Sequence, residues 1–299
     1  AEAEGRAARV HLKADTGMSR AGATDNELPA LAAELAGAER AGSLAVVGLW
    51  SHLSRADEPD SGSTEDHLAR FHAAADAVAA AGLAPVVRHL AATGGLLWYP
   101  DARLDLVRAG IGLYGLSPDP AVATSAGLGL RPAMRLEAPL ILVKRIPAGQ
   151  AVSYGGTWTA PTDRWVGLVP LGYADGIPRS ASGAPVTVIP SQGGGGDAAP
   201  APVHARIVGR VCMDQMVIDL GPAAPGGSGA PAPGGSGAPA PGARAGDTAV
   251  LWGDGADPAG IPTADEWAAV CGTINYEIVT RLGARVPRIY LGVGWEDRV

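Results

Sequence analysis

A lysine, a carboxylate and a guanidinium stand close together in the segment HLKADTGMSRA, residues 11–21, as Lys13, Asp15 and Arg20. Apolar alternation leads up to Lys13, the Thr16-Gly17 pair makes a turn, and Arg20 follows. In a barrel of parallel strands the carboxyl ends of the strands carry the chemistry, so these residue types at such an end point to a site. Lys13 and Lys144 are the only lysines of the sequence. A mechanism that needs a lysine of this chain therefore uses one of them. Read alone, Lys13 and Arg20 could also be surface partners of Asp15, although a charge inside a strand needs a partner of some kind.

Further residues of this kind lie downstream. His52 ends GLWSHL and His89 ends VVRHL, with Thr93 following. A single strand-end histidine is commonly structural, but two at successive strand ends of one barrel suggest a shared site. LVRAGIGLYG, residues 106–115, presents Arg108 and then the backbone amides of Gly110 and Ile111. Glycine lets a main-chain N–H approach an anion closely, and the end of a late barrel strand is where a phosphate sits. AVSYGGTW places Tyr154 before two glycines, GYADG places Tyr173 in a turn, and TINYEIV carries Tyr276. GRVCMDQ sets Cys212, Met213 and Asp214 at a strand start. That trio offers too few ligands for a metal, so none is expected.

The elements that position these residues follow from periodicity. Residues 9–16, 45–53, 86–93 and 104–114 read as nearly continuous apolar strands. Between the first two, Thr24 and Glu27 make a capping-box pattern ahead of Leu28, Leu31 and Leu35 at helical spacing. A second helix is expected from about Thr64 to Ala81, with Leu68, Phe71 and Val78 as its apolar stripe and Gly82 as its stop. Strands alternating with helices imply parallel βαβ units.

After SPDPAVATSAGLGLRP, residues 117–132, the pattern changes to closely spaced strands at 136–145, 165–173, 185–190, 203–208, 215–220, 248–252 and 286–291, with one helix at 263–271. SQGGGGDAAPAP, residues 191–202, reads as a flexible loop. Residues 224–239 repeat APGGSGAP twice, inside an insertion at 222–245 that cannot bury apolar area. The expected architecture is α/β plus β: residues 1–120 form part of a (β/α)8 TIM-type barrel, 121–135 a linker, and 136–299 a mainly β domain.

With 299 residues, 47% of them apolar, the chain has enough material for one large or two medium domains. A formal net charge of −7 argues against nucleic acid or an anionic membrane surface as the main partner. No run is long and apolar enough for a membrane span, and the N-terminal residues show no signal-peptide pattern. They enter a strand almost at once, so the chain is expected to begin part-way through a domain. Cys212 and Cys271 are too few for a disulfide framework, and a reducing cytoplasm is the simplest expectation.

Taken together, HLKADTGMSRAG, GLWSHLSRADE, LVRAGIGLYGL, VSYGGTW, GYADG, GRVCMDQ and INYEIVTRL with RVPR span residues 10–290 in one order. In that order they resemble the bacterial alanine racemases, fold-type III enzymes that carry pyridoxal 5'-phosphate in a barrel followed by a β-rich domain. The resemblance implies interconversion of L- and D-alanine by two bases, supplying D-alanine for peptidoglycan, in a homodimer whose subunits share their active sites. It implies Tyr154 as the base for L-alanine, reaching into the partner's barrel, and His52 as the residue that tunes it. Arg108 would face the pyridine nitrogen, oriented by His89. Thr93, Gly110, Ile111 and Tyr276 would hold the phosphate.

On the substrate side, Arg20 and the Met213 amide would bind the carboxylate, with Asp214 alongside. Lys13 matches a lysine that the family often carbamylates to position the arginine, and Tyr173 a tyrosine at the substrate entry. Two departures stand out. HLAATGG has Ala92 and Thr93 where the family has asparagine and serine, which keeps a hydroxyl and drops one polar contact. The family's cofactor-bearing lysine lies in an Ala-Asn-Ala-Tyr-Gly-His-like run that this sequence does not contain, and about three βα units of the barrel are expected to be missing. Two further readings stay open: a truncated, catalytically incompetent fragment, and a racemase for serine or a larger amino acid.

Overall fold

The structure is a computed structural model that describes residues 5–191, 201–223 and 242–292. The loop expected at 191–202 lies almost wholly outside the described residues, and the 224–239 repeat lies wholly outside them. The chain divides into two compact units, Ala1–Arg131 and Pro132–Val299.

In the first unit, β1 (Ala8–Lys13), β2 (Leu44–Trp50) and β3 (Val87–His89) form a parallel sheet in that order. Helices α1 (Leu28–Arg40) and α2 (Ser63–Ala80) provide the crossovers, which parallel pairing requires. The alternation of each strand sorts its side chains. Leu12 and Leu49 pack with Leu28, Phe71 and Val78 from the helices in one buried cluster. On the opposite sheet face, His11 stands against Gly48, Lys13 against Trp50, and Trp50 against His89.

Local differences from the expected elements have identifiable causes. The Thr24–Glu27 pattern forms only half of a capping box. The Glu27 carboxylate accepts from the Thr24 N–H and hydroxyl, while the Glu27 N–H bonds the Thr24 carbonyl. α1 then begins at Leu28, with Pro29 in its first turn. The strand expected at 86–93 stops at His89, and α3 (Thr93–Trp98) follows. The strand expected at 104–114 does not form. Asp105 N–H bonds the Arg88 carbonyl and Arg108 N–H the Ala91 carbonyl, with one bridge between His89 and Leu106. Leu104 in the left-handed region (φ 48°) opens this stretch, and the backbone turns at Gly110 into a tight 3-10 turn over Ile111–Tyr114, so no ladder extends.

In the second unit, seven antiparallel strands run in the order β4-β12-β9-β10-β11-β8-β5. They are β4 (Leu136–Pro139), β5 (Leu142–Ile146), β8 (Arg164–Val169), β9 (Pro185–Ile189), β10 (Val203–Val208), β11 (Met216–Pro222) and β12 (Thr248–Trp252). β6 (Ala151–Val152) and β7 (Trp158–Thr159) make a separate hairpin. The single strand expected at 136–145 is two strands. Leu140 N–H bonds Asp247 beside β12, and Ile141 N–H bonds Leu168 of β8. Consecutive residues thus serve opposite edges of the sheet, which curls until those edges meet.

Helices α4 (Ala264–Cys271) and α5 (Asn275–Thr280) close the unit. α4 opens on a true capping box between Thr263 and Glu266. The strand expected at 165–173 ends at Val169, because Tyr173–Asp175 forms a 3-10 turn capped by the Asp175 carboxylate on the Gly172 N–H. No strand forms at 286–291. Pro287 has no N–H to give, and the Arg288 guanidinium ties the chain back to the carbonyls of Leu282, Gly283 and Val286.

Candidate active site

The carboxyl ends of the parallel strands in the first unit converge on Arg108. Its Nη1 donates to His89 Nδ1 at 2.6 Å. Its Nη2 donates to His52 Nδ1 at 2.9 Å and to the carbonyls of Ser51 and Leu90 at 2.9 and 3.1 Å. A guanidinium can only donate. His52 and His89 therefore accept at Nδ1, and each carries its proton on Nε2. His89 passes that polarity on, since its Nε2 lies 2.8 Å from His11 Nδ1. Trp50 forms the floor: it stacks on His89, with Lys13 Nζ 4.8 Å and the Arg108 guanidinium carbon 5.0 Å from its ring.

The electrostatics follow from this crowding. Burial, followed by the Arg108 charge, holds His52 down at about 4, and the same two causes with His11 hold His89 at about 4. The unfolded chain takes up these protons near pH 6.5, where the folded chain refuses them. Stability is therefore complete above about pH 6.5 and is lost as the pH falls toward 4. After allowing for solvent screening and for the shared arginine, the pair contributes roughly 2–3 kcal/mol. The melting temperature should fall steeply between pH 7 and pH 4, and a flat profile over that window would contradict this reading.

Beneath the site, Thr16 Oγ1 bonds both Ser51 Oγ and His67 Nδ1 at 2.8 Å, which locks the β1 turn to the segment that supplies the Ser51 carbonyl. His11, Trp50, Ser51 and His67 were not singled out by sequence reasoning. For His11 a signal existed, because strand alternation puts it on the face of Lys13, and the facing strand offers glycine opposite. A Cβ at Gly48 would lie 2.3 Å from His11 Nδ1. Gly48→Ala should displace the imidazole, break its bond to His89 and destabilise the protein by about 1–3 kcal/mol. Equilibrium denaturation reads this directly, and parent-like stability would count against it.

The residues expected to hold an anion, Thr93, Gly110 and Ile111, also meet within the first unit. Thr93 Oγ1 accepts from the Gly110 and Gly112 N–H groups at 3.0 and 3.3 Å. The Ile111 N–H donates to no described residue, and a Cβ on Gly110 would meet nothing within 4 Å. Arg20 is exposed. Asp15 does not pair with Lys13 here. Its carboxylate accepts from the Gly17 and Ser19 N–H groups, which hold it below the usual carboxylate range.

In the second unit, Tyr154 lies in the turn between β6 and β7 and is 71% exposed. Tyr173 and Ala174 N–H groups bond the Cys212 and Met213 carbonyls, so Tyr173 and Met213 share one patch. The Asp214 carboxylate is taken by Arg285 at 2.7 Å. Tyr276 lies on α5, and Lys144 is exposed on β5. Among the described residues, no group of three or more His, Cys, Asp or Glu is placed to hold a metal ion, and no helix is long and apolar enough to cross a membrane.

Two family models match the chain: the alanine racemase N-terminal domain over residues 1–118 and the alanine racemase C-terminal domain over residues 133–290. The chain belongs to the alanine racemase family. Its relatives include the alanine racemases of Frankia casuarinae, 46% identical over 96% of this chain and 67% of the relative, and of Salinispora arenicola, 48% identical over 96% and 68%. Similar solved structures are the alanine racemase from Streptomyces coelicolor A3(2), with TM-score 0.82 and 45% identity, and that from D-cycloserine-producing Streptomyces lavendulae, with TM-score 0.83 and 43% identity. Each is covered to 68% by 97% of this chain. The first unit holds part of a barrel sheet and the second is mainly β, in the order of the two family models.

Proposed function

We propose that the chain works as a pyridoxal-phosphate-dependent alanine racemase, removing the α-proton of alanine on one face and returning it on the other. The observation that carries this reading is Arg108. Its two terminal nitrogens donate to His52, His89 and two carbonyls, which fixes the guanidinium, while its Nε–H donates to no described residue. One rigidly held N–H beside two neutral histidines suits an unprotonated pyridine nitrogen. Gly110, the Ile111 N–H and Thr93 suit the phosphate, with Tyr276 as a further phosphate ligand. When bound, the cofactor draws electron density from the α-carbon, and a ring nitrogen left unprotonated by arginine weakens that pull, which favours proton return over transamination.

The chain's own groups then divide the remaining work. Tyr154 takes the proton of L-alanine, in a homodimer where its exposed ring reaches the partner's barrel. His52 keeps Nε2–H as a donor, and a donor to the phenol oxygen favours the basic phenolate form. Arg20 and the Met213 N–H bind the substrate carboxylate, with Lys13 orienting Arg20, Asp214 holding the Met213 loop through Arg285, and Tyr173 lining the approach. D-alanine for peptidoglycan and a cytoplasmic setting, where Cys212 and Cys271 stay free thiols, complete the proposal. The domain assignment stays that of 1–120, 121–135 and 136–299.

Lys13 lies over Trp50 and Lys144 is exposed on β5, so neither is assigned as the amine that holds the cofactor. This placement favours a second reading, in which the chain binds the cofactor without turning over alanine alone. Titration with pyridoxal phosphate should shift the Arg108 Nε–H resonance, and borohydride reduction should leave the protein mass unchanged. An unmoved Arg108 resonance at saturating cofactor would overturn the site assignment. A reduced adduct on Lys13 or Lys144 would overturn the second reading.

A further inference from the structure

Ser153, the residue before Tyr154, has φ 62° and ψ −175°. That region of backbone space is used almost only by glycine, and a residue with a side chain stays there at a cost unless something holds it. What holds Ser153 is visible. Its hydroxyl donates to the Arg210 carbonyl at 2.6 Å and lies 3.4 Å from Cys212 Sγ. The Arg210 guanidinium also lies close on the far side of the tyrosine, because a Cβ on Gly155 would lie 2.9 Å from its Nη1. The two segments approach so closely that a Cβ on Gly209 would fall 2.6 Å from the Val152 carbonyl and 2.8 Å from Ser153 Cβ.

Tyr154 itself is 71% exposed, so packing within its unit does not aim its ring. The direction of that ring must come from the backbone on either side. We infer that Ser153 is a positioning residue, whose hydroxyl anchor on the Arg210 carbonyl holds a strained backbone that points Tyr154 outward from the β6–β7 turn. The assignment rests on the reading of Tyr154 as the proton-removing base, but its test does not depend on that reading. A serine that served stability alone would have been better replaced by glycine, which adopts this backbone without strain.

The strain and the anchor are separable by substitution. Ser153→Gly removes both, so the melting temperature should rise while the turn loosens. Ser153→Ala keeps the Cβ and loses the anchor, so the melting temperature should fall while the turn again loosens. Nitrogen-15 relaxation of the 299-residue chain reads the turn at the Tyr154 and Gly155 amides. The parent should show order parameters near 0.85, and both variants should fall below about 0.6. A merely structural serine would move order and melting temperature together. The inference stands if both variants lose order while their melting temperatures shift in opposite directions, and any other combination overturns it. Neither readout involves alanine. Loss of the base assignment through Tyr154→Phe would leave this result intact, and failure here would leave the base assignment intact.

Discussion

In a form of the protein that carries the family's cofactor-bearing lysine, Tyr154→Phe is expected to slow α-deuterium washout from L-alanine by about 10²–10⁴-fold, the loss that follows removal of one positioned general base. The substitution deletes one oxygen from a ring that is largely exposed, so stability should change by less than about 0.5 kcal/mol. The β6–β7 turn is held by backbone and by Ser153, which the substitution leaves in place. A large kinetic effect with an unmoved melting temperature separates a chemical role from a structural one.

Arg108→Leu is the second large effect. It removes donors from four acceptors at once: His89 Nδ1, His52 Nδ1 and the carbonyls of Ser51 and Leu90. Buried acceptors left without partners cost about 1–3 kcal/mol each, and loss of one member of such a network typically totals about 3–5 kcal/mol. The two histidines should respond as well. Arg108 is the second cause of their depression, after burial, so both should titrate higher in the variant while staying below an exposed imidazole. Arg108→Lys should not restore the parent, because an ammonium is a point donor and cannot serve separated acceptors with a planar fork. Denaturation and histidine NMR titration measure the two parts, and histidines that keep the parent's values would refute the electrostatic account.

Residues that act where their own strand ends were legible in the sequence. Lys13, His52 and His89 each sit at or just past a strand terminus, and apolar alternation marks those termini. β1, β2 and the two long helices followed from the same periodicity, as did the antiparallel strands at 203–208 and 248–252. What escaped depends on groups that only tertiary pairing brings together. His11 gained its role from a glycine on the neighbouring strand, and Ser51 from a main-chain carbonyl, which no residue type advertises. The stretch 104–114 has the apolar run of a strand, yet Leu104 and Gly110 take conformations that stop a ladder. Residues 136–145 looked like one strand because Leu140–Val143 is an unbroken apolar run, which hides the change of partner between Leu140 and Ile141. Ser153 is the sharpest case: its strain is a backbone property, and serine in a turn is otherwise unremarkable.

The measurement that bears most directly on the two-face account compares α-deuterium washout from L-alanine and from D-alanine in one Tyr154→Phe preparation of a form that carries the family's cofactor-bearing lysine. If Tyr154 serves one face of the α-carbon, washout from L-alanine collapses by about 10²–10⁴-fold, while washout from D-alanine, taken from the opposite face, falls far less. Equal losses in the two directions would show that Tyr154 acts on structure or on binding common to both enantiomers, and the assignment of this tyrosine as the base for L-alanine would have to be withdrawn.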